Sequence, residues 1–463
     1  MGDSPSVIQN EERMKLVTPS LVVEDIDGFK HDALQRKSFG EALSNLVTRT
    51  SDELVISLDG KWGEGKTTFV KMWQGLLKEK GVPSIYIDAF QNDYTEDAFI
   101  SIASAITAYV DQHSMETEKS SDFSEKAKKI GIRLLSWSAK IGIKAATLGV
   151  IKESDIDTLS EIGDDIATDT SETVATLVQD RLSTHSKENE LIQSFRESLS
   201  EIPKTIRDNE SGRLVVIIDE LDRCRPSFAL EILEKIKHLF SVKNVVFVLV
   251  MHKEQLEEAI RCVYGSNIDA HTYLQKFINI ETTIPKRVTD RHSNDLDAYI
   301  TRLLHLHELE TWDDDNLIHD CLSSLGRHFS LSLRQLEKTF TNLAIIYSTS
   351  AKNHLRLVPI ITFISTLKVV RPKVFNQVML GEISYAELSS EIKLDNLDEN
   401  RNERNLIWIM DWVRFSTLTD SEYKNIDKDD NIRDFGQSLW QYNVSRERLI
   451  PIFCKKLCMF TAN

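Results

Sequence analysis

The chain has 463 residues, enough for one large α/β domain and a second domain beside it. Hydrophobic residues make up 41% and charged residues 28%, with only 17 Gly and 9 Pro, which excludes a disordered or low-complexity chain. The formal net charge of −16 repels nucleic acid and anionic membrane at long range and leaves only local basic patches as contacts for either.

Residues 1–29 read as an N-terminal extension, polar and without periodicity. Its opening run, MGDSPSVIQNEERM, lacks the apolar core of a signal peptide, and the five cysteines (Cys224, Cys262, Cys321, Cys454 and Cys458) are odd in number and scattered. A reduced, cytosolic protein is expected, with peripheral membrane contact left open. A helical pattern follows through Leu34, Phe39, Leu43 and Leu46. LVISLDG, residues 54–60, predicts a strand ended by glycine, and Phe69, Met72, Trp73, Leu76 and Leu77 predict the apolar face of the helix after it. SIYIDAF (84–90) predicts the next strand and residues 99–109 the next helix, the alternation of a parallel, doubly wound sheet.

From about residue 111 to 204 the pattern changes to long polar helices without strand signals, so this stretch reads as a helical insertion. LVVIID (214–219), a helix over 228–240, NVVFVLVM (244–251) and a helix over 255–263 then resume the alternation, and both strands are apolar enough to be buried on two faces. After Pro285 no strand run is evident, whereas Leu333, Leu336, Phe340, Leu343 and Tyr347 mark a helical face. The expected organisation is a P-loop domain over 30–290 and an α-helical C-terminal domain over 291–463. Cys454 and Cys458 sit on an apolar stretch with no His or second Cys pair to complete a tetrahedral zinc site, and read as core thiols.

The strongest chemical signal is Gly60-Lys-Trp-Gly-Glu-Gly-Lys-Thr67, a G-x-x-x-x-G-K-[ST] run between a buried strand and an amphipathic helix, where a Walker A loop must sit. Gly60, Gly63 and Gly65 let the backbone wrap, so that its N–H groups, with those of Glu64, Lys66, Thr67 and Thr68, face phosphate oxygens at a helix N-terminus. Lys66 is expected to reach the β- and γ-phosphates, and the Thr67 hydroxyl to take one position on Mg²⁺. VVIIDELD supplies the Walker B acids: Asp219 for the metal, and Glu220 at the strand tip to orient and deprotonate the attacking water, which points to a hydrolase. Arg223 stands as a candidate for stabilising transition-state charge, with an Asp222–Arg loop pair as the alternative. His252, after the apolar strand, is either a γ-phosphate contact or the start of a surface helix, and Arg334 either reaches over the nucleotide from the helical domain or is a solvated helix residue.

Together LDGKWGEGKTTFVKMW, the strand ending in DAFQND, IIDELDRCRPSFALEILEKIKHLF, NVVFVLVMHKEQLEEAI and the later YLQKFI resemble the KAP family of P-loop NTPases over roughly residues 30 to 345. The resemblance implies an additional-strand P-loop fold, ATP with Mg²⁺, and a place among STAND-like signalling NTPases, whose bacterial members are implicated in defence against phage. It assigns phosphate binding to Gly65, Lys66 and Thr67 and metal and water activation to Asp219 and Glu220. Asp222, Arg223 and Lys276 also match, with no role fixed. The sequence departs from the pattern at His252, where many relatives carry an acid, and at Phe90, where tryptophan is common.

Many relatives also place transmembrane helices between the two nucleotide motifs. Here the corresponding stretch, 130–151, contains Arg133, Lys140 and Lys144, and at roughly 2.5–3.5 kcal/mol for each charge near the bilayer centre no stable span is expected. Three readings stay open for this basic segment and the acidic run after it: a hairpin packed on itself, a membrane or nucleic-acid contact, and a docking face for a partner. The expectation for the whole chain is an ATPase that signals through a protein effector encoded nearby, with a homo-oligomer open and no direct nucleic-acid binding. The alternative is a nucleotide-gated scaffold that binds ATP with negligible hydrolysis, and a DNA-dependent motor is disfavoured by the charge.

Overall fold

A computed structural model of the chain describes residues 15–19, 27–50, 52–95, 97–115, 117–139, 189–287, 294–394, 404–427 and 430–459. Strands β1 (Leu54–Asp59), β2 (Ser84–Asp88), β3 (Leu214–Asp219), β4 (Val245–Met251) and β5 (Ile280–Thr283) form a parallel sheet in the order β2-β3-β4-β1-β5. β4 thus lies between the strand that precedes the glycine loop and the strand that carries the acids, which is the additional-strand arrangement. Side-chain alternation splits the sheet between two cores. Val216, Ile218, Phe247 and Leu249 face one cluster, and Val215, Ile217, Val246 and Val248 face the other.

Helices α1 (Lys37–Arg49) and α2 (Lys66–Glu79) cover the second face, where Phe69, Trp73 and Leu77 are fully buried. Helices α3 (Ala98–His113), α4 (Thr117–Ala139), α5 (Pro226–Lys235) and α6 (Lys253–Tyr264) lie among the elements of the first. The insertion is rooted in that core: Phe123 and Ile130 of α4 and Phe195 and Leu199 of its returning arm join the same cluster, and the Phe99 ring lies tilted against Phe195 at 5.7 Å and against Phe240 at 5.3 Å. Its neck is closed by backbone bonds from Met115 to Thr205 (2.9 Å) and from Arg207 to His113 (2.9 Å). Residues 140–188 of the insertion, and with them most of the basic stretch 130–151 and the acidic run, lie outside the described residues. Among the described residues no helix is long and apolar enough to cross a membrane.

Three elements differ from expectation. β2 stops at Asp88 instead of Phe90, because the Asp88 carboxylate accepts the Gln91 N–H at 2.9 Å and starts a helical turn that leaves Phe90 exposed. The helix expected over 228–240 starts at Pro226 and ends in a π-turn, Ile236–Phe240. β5 has no apolar run to announce it; its four residues form an edge strand paired only with β1.

A third cluster belongs to the C-terminal helices: α7 (Asp295–His307), α8 (Asp315–His328), α9 (Leu333–Ser348), α10 (Val358–Val370), α11 (Pro372–Leu380), α12 (Arg404–Thr417) and α13 (Leu449–Cys458). α10 is predominantly apolar, with only the small polar residues Thr362, Ser365 and Thr366 in its buried run, and is buried from Val358 to Leu367 at the centre of the bundle. Leu336, Phe340, Leu343 and Tyr347 bury the inner face of α9, while Leu333, at its first position, turns to the glycine loop instead. Cys454 is a buried core thiol, and Cys458 packs its sulfur 3.3 Å from that of Met379.

Candidate active site

The parallel register brings four strand ends to one edge: Asp59 lies opposite Met251, and Asp88 opposite Asp219. From β1 the chain turns through Gly63 (φ 78°) and Gly65 (φ 79°), left-handed conformations that side chains rarely adopt, into the N-terminus of α2. A cleft of about 340 Å³ opens there, lined by the loop, Asp219, Glu220, Asp222 and Arg223 on one side and by Tyr299, Arg302, Arg334 and Glu337 of the helical bundle on the other. That volume suits a nucleotide-sized ligand.

The Lys66 ammonium folds back on the loop, donating to the carbonyls of Gly60 and, at 3.3 Å, of Lys61. Burial holds its pKa below that of an ordinary lysine, against the pull of Asp222, Asp219, Glu64 and Asp59. Glu64 closes the loop on itself by accepting the Lys61 N–H at 2.9 Å, and its carboxylate also pairs with Lys286. A Cβ at Gly60 would come within 2.9 Å of Ile284, so the loop has no room for a side chain there. Thr68 lines the cleft beside Thr67.

Asp219 is buried at the end of β3 beside the Thr67 hydroxyl, and the Tyr86 hydroxyl (3.0 Å) and the Glu220 N–H (2.7 Å) donate to it. Burial is the largest influence on its carboxyl and raises its pKa, while the Thr67 hydroxyl, those two donors and the Lys66 charge oppose the rise. A buried carboxylate beside a threonine hydroxyl is a hard-oxygen donor set that fits Mg²⁺. Glu220 follows in a left-handed conformation (φ 61°, ψ 26°), rare for a non-glycine residue. Its carboxyl is raised first by burial and then by Asp219, Asp222 and Asp88, and is lowered by Arg223. The Arg223 guanidinium forms an ion pair with it, yet Oε2 of Glu220 has no aligned hydrogen bond, so the contact is one of charge. The Asp222 alternative partners elsewhere: its carboxylate takes the Trp62 indole N–H. Arg225 is tied away from the cleft by Asp93, through its backbone N–H (2.8 Å) and Nε (2.9 Å).

The other sequence candidates divide. Arg334 does reach the loop: its N–H donates to the Gly63 carbonyl at 3.3 Å, and its side chain lines the cleft. His252 is buried at the tip of β4 with neither ring nitrogen hydrogen-bonded, edge-on to Trp62 at 5.6 Å, and is not among the cleft-lining residues. Lys276 lies over the Tyr273 ring at 5.1 Å, away from the cleft. Sequence reasoning missed Arg36 and Tyr86. Arg36 is buried at the start of α1, donates to the Glu64 carbonyl at 3.0 Å, and leaves Nε without a partner. Its pKa is lowered by burial, against Asp295, Asp32 and Glu64. Nothing in LQRK or SIYID signals these contacts, which come from elements distant in sequence.

The model of the KAP family P-loop domain matches residues 36–350. No curated protein matches the sequence significantly. Among solved structures the chain is similar to the ORC2 protein of Aeropyrum pernix in ADPNP-ADP complexes, at 14% identity and TM-score 0.35, covering 92% of this chain and 94% of that one. It is also similar to Cdc6p of Pyrobaculum aerophilum, at 13% identity and TM-score 0.38, covering 95% and 99%.

Proposed function

Because the chain belongs to the KAP family of P-loop NTPases, we propose that it binds ATP with Mg²⁺ in the cleft between sheet and bundle and hydrolyses it to drive a conformational signal. One observation carries the reading: Thr67, Asp219 and Glu220 line one cleft at the sheet edge beside the Lys66 ammonium, with the Thr67 hydroxyl next to the Asp219 carboxylate. The N–H groups at the start of α2 face the phosphates, and Lys66 leaves the Gly60 carbonyl to neutralise them. Thr67 and Asp219 would hold the metal, which when bound supplies charge neutralisation on phosphate oxygens. Glu220 takes the proton of the attacking water, for which its carboxylate must leave the Arg223 pair. Phe90, Arg225 and Asp93 lie outside this chemistry. Arg334, at the head of α9, touches the loop directly, which supports a route from nucleotide state to the helical bundle.

The proposed setting is bacterial anti-phage defence with a protein effector encoded nearby, and it rests on the family relationship. The scaffold reading draws support from the Glu220–Arg223 pair, since a base held by a guanidinium does not accept a proton. ATP turnover and bound nucleotide, measured for wild type, Glu220→Gln and Asp219→Asn, separate the two. Hydrolysis predicts that Glu220→Gln retains ATP while turnover falls roughly 10²–10⁴-fold, and that Asp219→Asn loses magnesium-dependent binding. Wild-type turnover no higher than that of Glu220→Gln defeats hydrolysis and leaves the scaffold.

A further inference from the structure

The chain carries 16 more acids than bases, yet residues 338–381 contain no Asp or Glu while holding Lys338, Lys352, Arg356, Lys368, Arg371 and Lys373. From residue 448 onward there is again no acid, with Arg448, Lys455 and Lys456. The fold joins these two stretches. Lys368 donates to the Leu457 carbonyl at 3.0 Å, Lys456 to the Ser350 hydroxyl at 2.7 Å, and the Cys458 and Met379 sulfurs touch at 3.3 Å. The C-terminal ends of α11 and α13 and the turn after α9 therefore share one end of the bundle.

The outward residues at this end follow helical spacing. α11 exposes Lys373, Asn376, Gln377 and Leu380, α13 exposes Pro451 and Lys455, and Met459 is exposed just beyond its end. Leu380 and Met459 are each 62% exposed, high for long apolar side chains. Several cations elsewhere sit against carboxylates, as in Lys253–Glu281, Arg225–Asp93 and Arg414–Asp430, whereas others, such as Lys37 and Lys237, form no ion pair among the described residues. Among the described residues none of Lys352, Arg371, Lys373 and Lys455 forms such a pair, although the chain has carboxylates in excess. What sets this end apart is the pairing of acid-free stretches with two bare apolar side chains, a combination that a surface both anionic and apolar complements.

We propose that this end of the bundle docks on an anionic phospholipid surface, with Lys352, Arg371, Lys373 and Lys455 over the headgroups and Leu380 and Met459 at the acyl boundary. Nucleic acid satisfies only the charges, and among the described residues this face carries no exposed aromatic side chain on which bases stack. Glu382, exposed two residues beyond Leu380, is a nearby acid that forms no ion pair with these cations among the described residues, and charges more than about 8 Å away are largely screened at physiological salt. This docking is independent of whether ATP is hydrolysed.

The test uses the full chain and sucrose-loaded vesicles of phosphatidylcholine, alone or mixed equally with phosphatidylserine. Co-sedimentation is expected with the mixed vesicles only, released by added salt. Reversing Lys352, Arg371, Lys373 and Lys455 together to Glu is expected to weaken it at least ~10-fold, since each cation near such a surface contributes separately. The pair Leu380→Ser and Met459→Ser, which keeps every charge, is expected to weaken it less. All six positions are exposed, and unchanged ATP-analogue binding checks that the variants fold. Equal binding to neutral vesicles, or a charge-reversed chain that still sediments, overturns the proposal. So does a labelled DNA duplex that binds through the same four cations while vesicles do not.

Discussion

Gly63→Ala tests whether the helical bundle is docked on the phosphate loop. A Cβ at this position lies 2.7 Å from Cβ of Arg334 and 3.2 Å from the Ser332 hydroxyl, and the residue stands at φ 78°. The left-handed backbone costs an L-residue ~1–2 kcal/mol, and an overpacked contact costs ~1–3 kcal/mol more. The clashing atom is a Cβ fixed to backbone, so it cannot rotate away; α9 must lift from the loop and give up the Arg334 to Gly63 bond. Gly381→Ala isolates the first cost, because it has φ 68° and nothing within 4 Å of its Cβ. If the docked arrangement is the one that binds nucleotide, the clash weakens ATP-analogue affinity by ~5–150-fold in Gly63→Ala and leaves Gly381→Ala unchanged. Both variants lose urea stability through the backbone term. Adding Arg334→Gly to Gly63→Ala removes the clashing atom and should restore part of the affinity, a coupling that a double-mutant cycle reads directly. Full affinity in Gly63→Ala, or no recovery in the double variant, would refute the docked contact.

Three further outcomes follow from the site and its surroundings. Lys66→Ala should abolish most ATP-analogue binding in a fluorescence titration, because it deletes the cation in a site otherwise built of backbone N–H groups; retained affinity would place the phosphates elsewhere. Tyr86→Phe removes a hydroxyl that donates to Asp219 at 3.0 Å, a bond to a charged group worth about 1.5–3 kcal/mol. Magnesium-dependent nucleotide affinity should fall while magnesium-free affinity holds, and equal affinities in the two proteins would exclude a positioning role. His307 is buried, with Nδ1 2.7 Å from the Lys15 carbonyl and Nε2 2.9 Å from the Thr18 hydroxyl. Burial lowers its pKa below the ordinary histidine value of 6.5, so its folded form is neutral, donating from Nδ1 and accepting at Nε2. A depressed histidine contributes stability that is present above 6.5 and is lost as pH falls below it, so the melting temperature should drop between pH 7.5 and 5. His307→Gln should flatten that drop, and an unchanged pH slope would show that this histidine does not carry it.

The phosphate loop and the acids were legible because their signals are local. Gly60, Gly63 and Gly65 are spaced for a backbone that wraps an anion, Lys66 and Thr67 complete the pattern, and LVVIID and VVFVLVM are apolar enough that only a strand covered on both faces can hold them. The helical character of the last third was equally visible in the spacing of Leu336, Phe340, Leu343 and Tyr347. β5 was not visible: it is held by pairing with β1, and its four residues carry no apolar run of their own. Nor were the contacts that shape the site. Tyr86 meets Asp219 across 133 residues because β2 and β3 are neighbours, and Arg36 meets the loop because α1 packs beside α2. The single residue step from Asp219 to Glu220 reads as two tandem acids in the sequence. Only the folded backbone, turning left-handed at Glu220, sets one against Thr67 and the other against Arg223. Residue type and spacing determine which chemistry a segment can perform, whereas partners far apart in sequence meet only where strand order and helix packing bring them together.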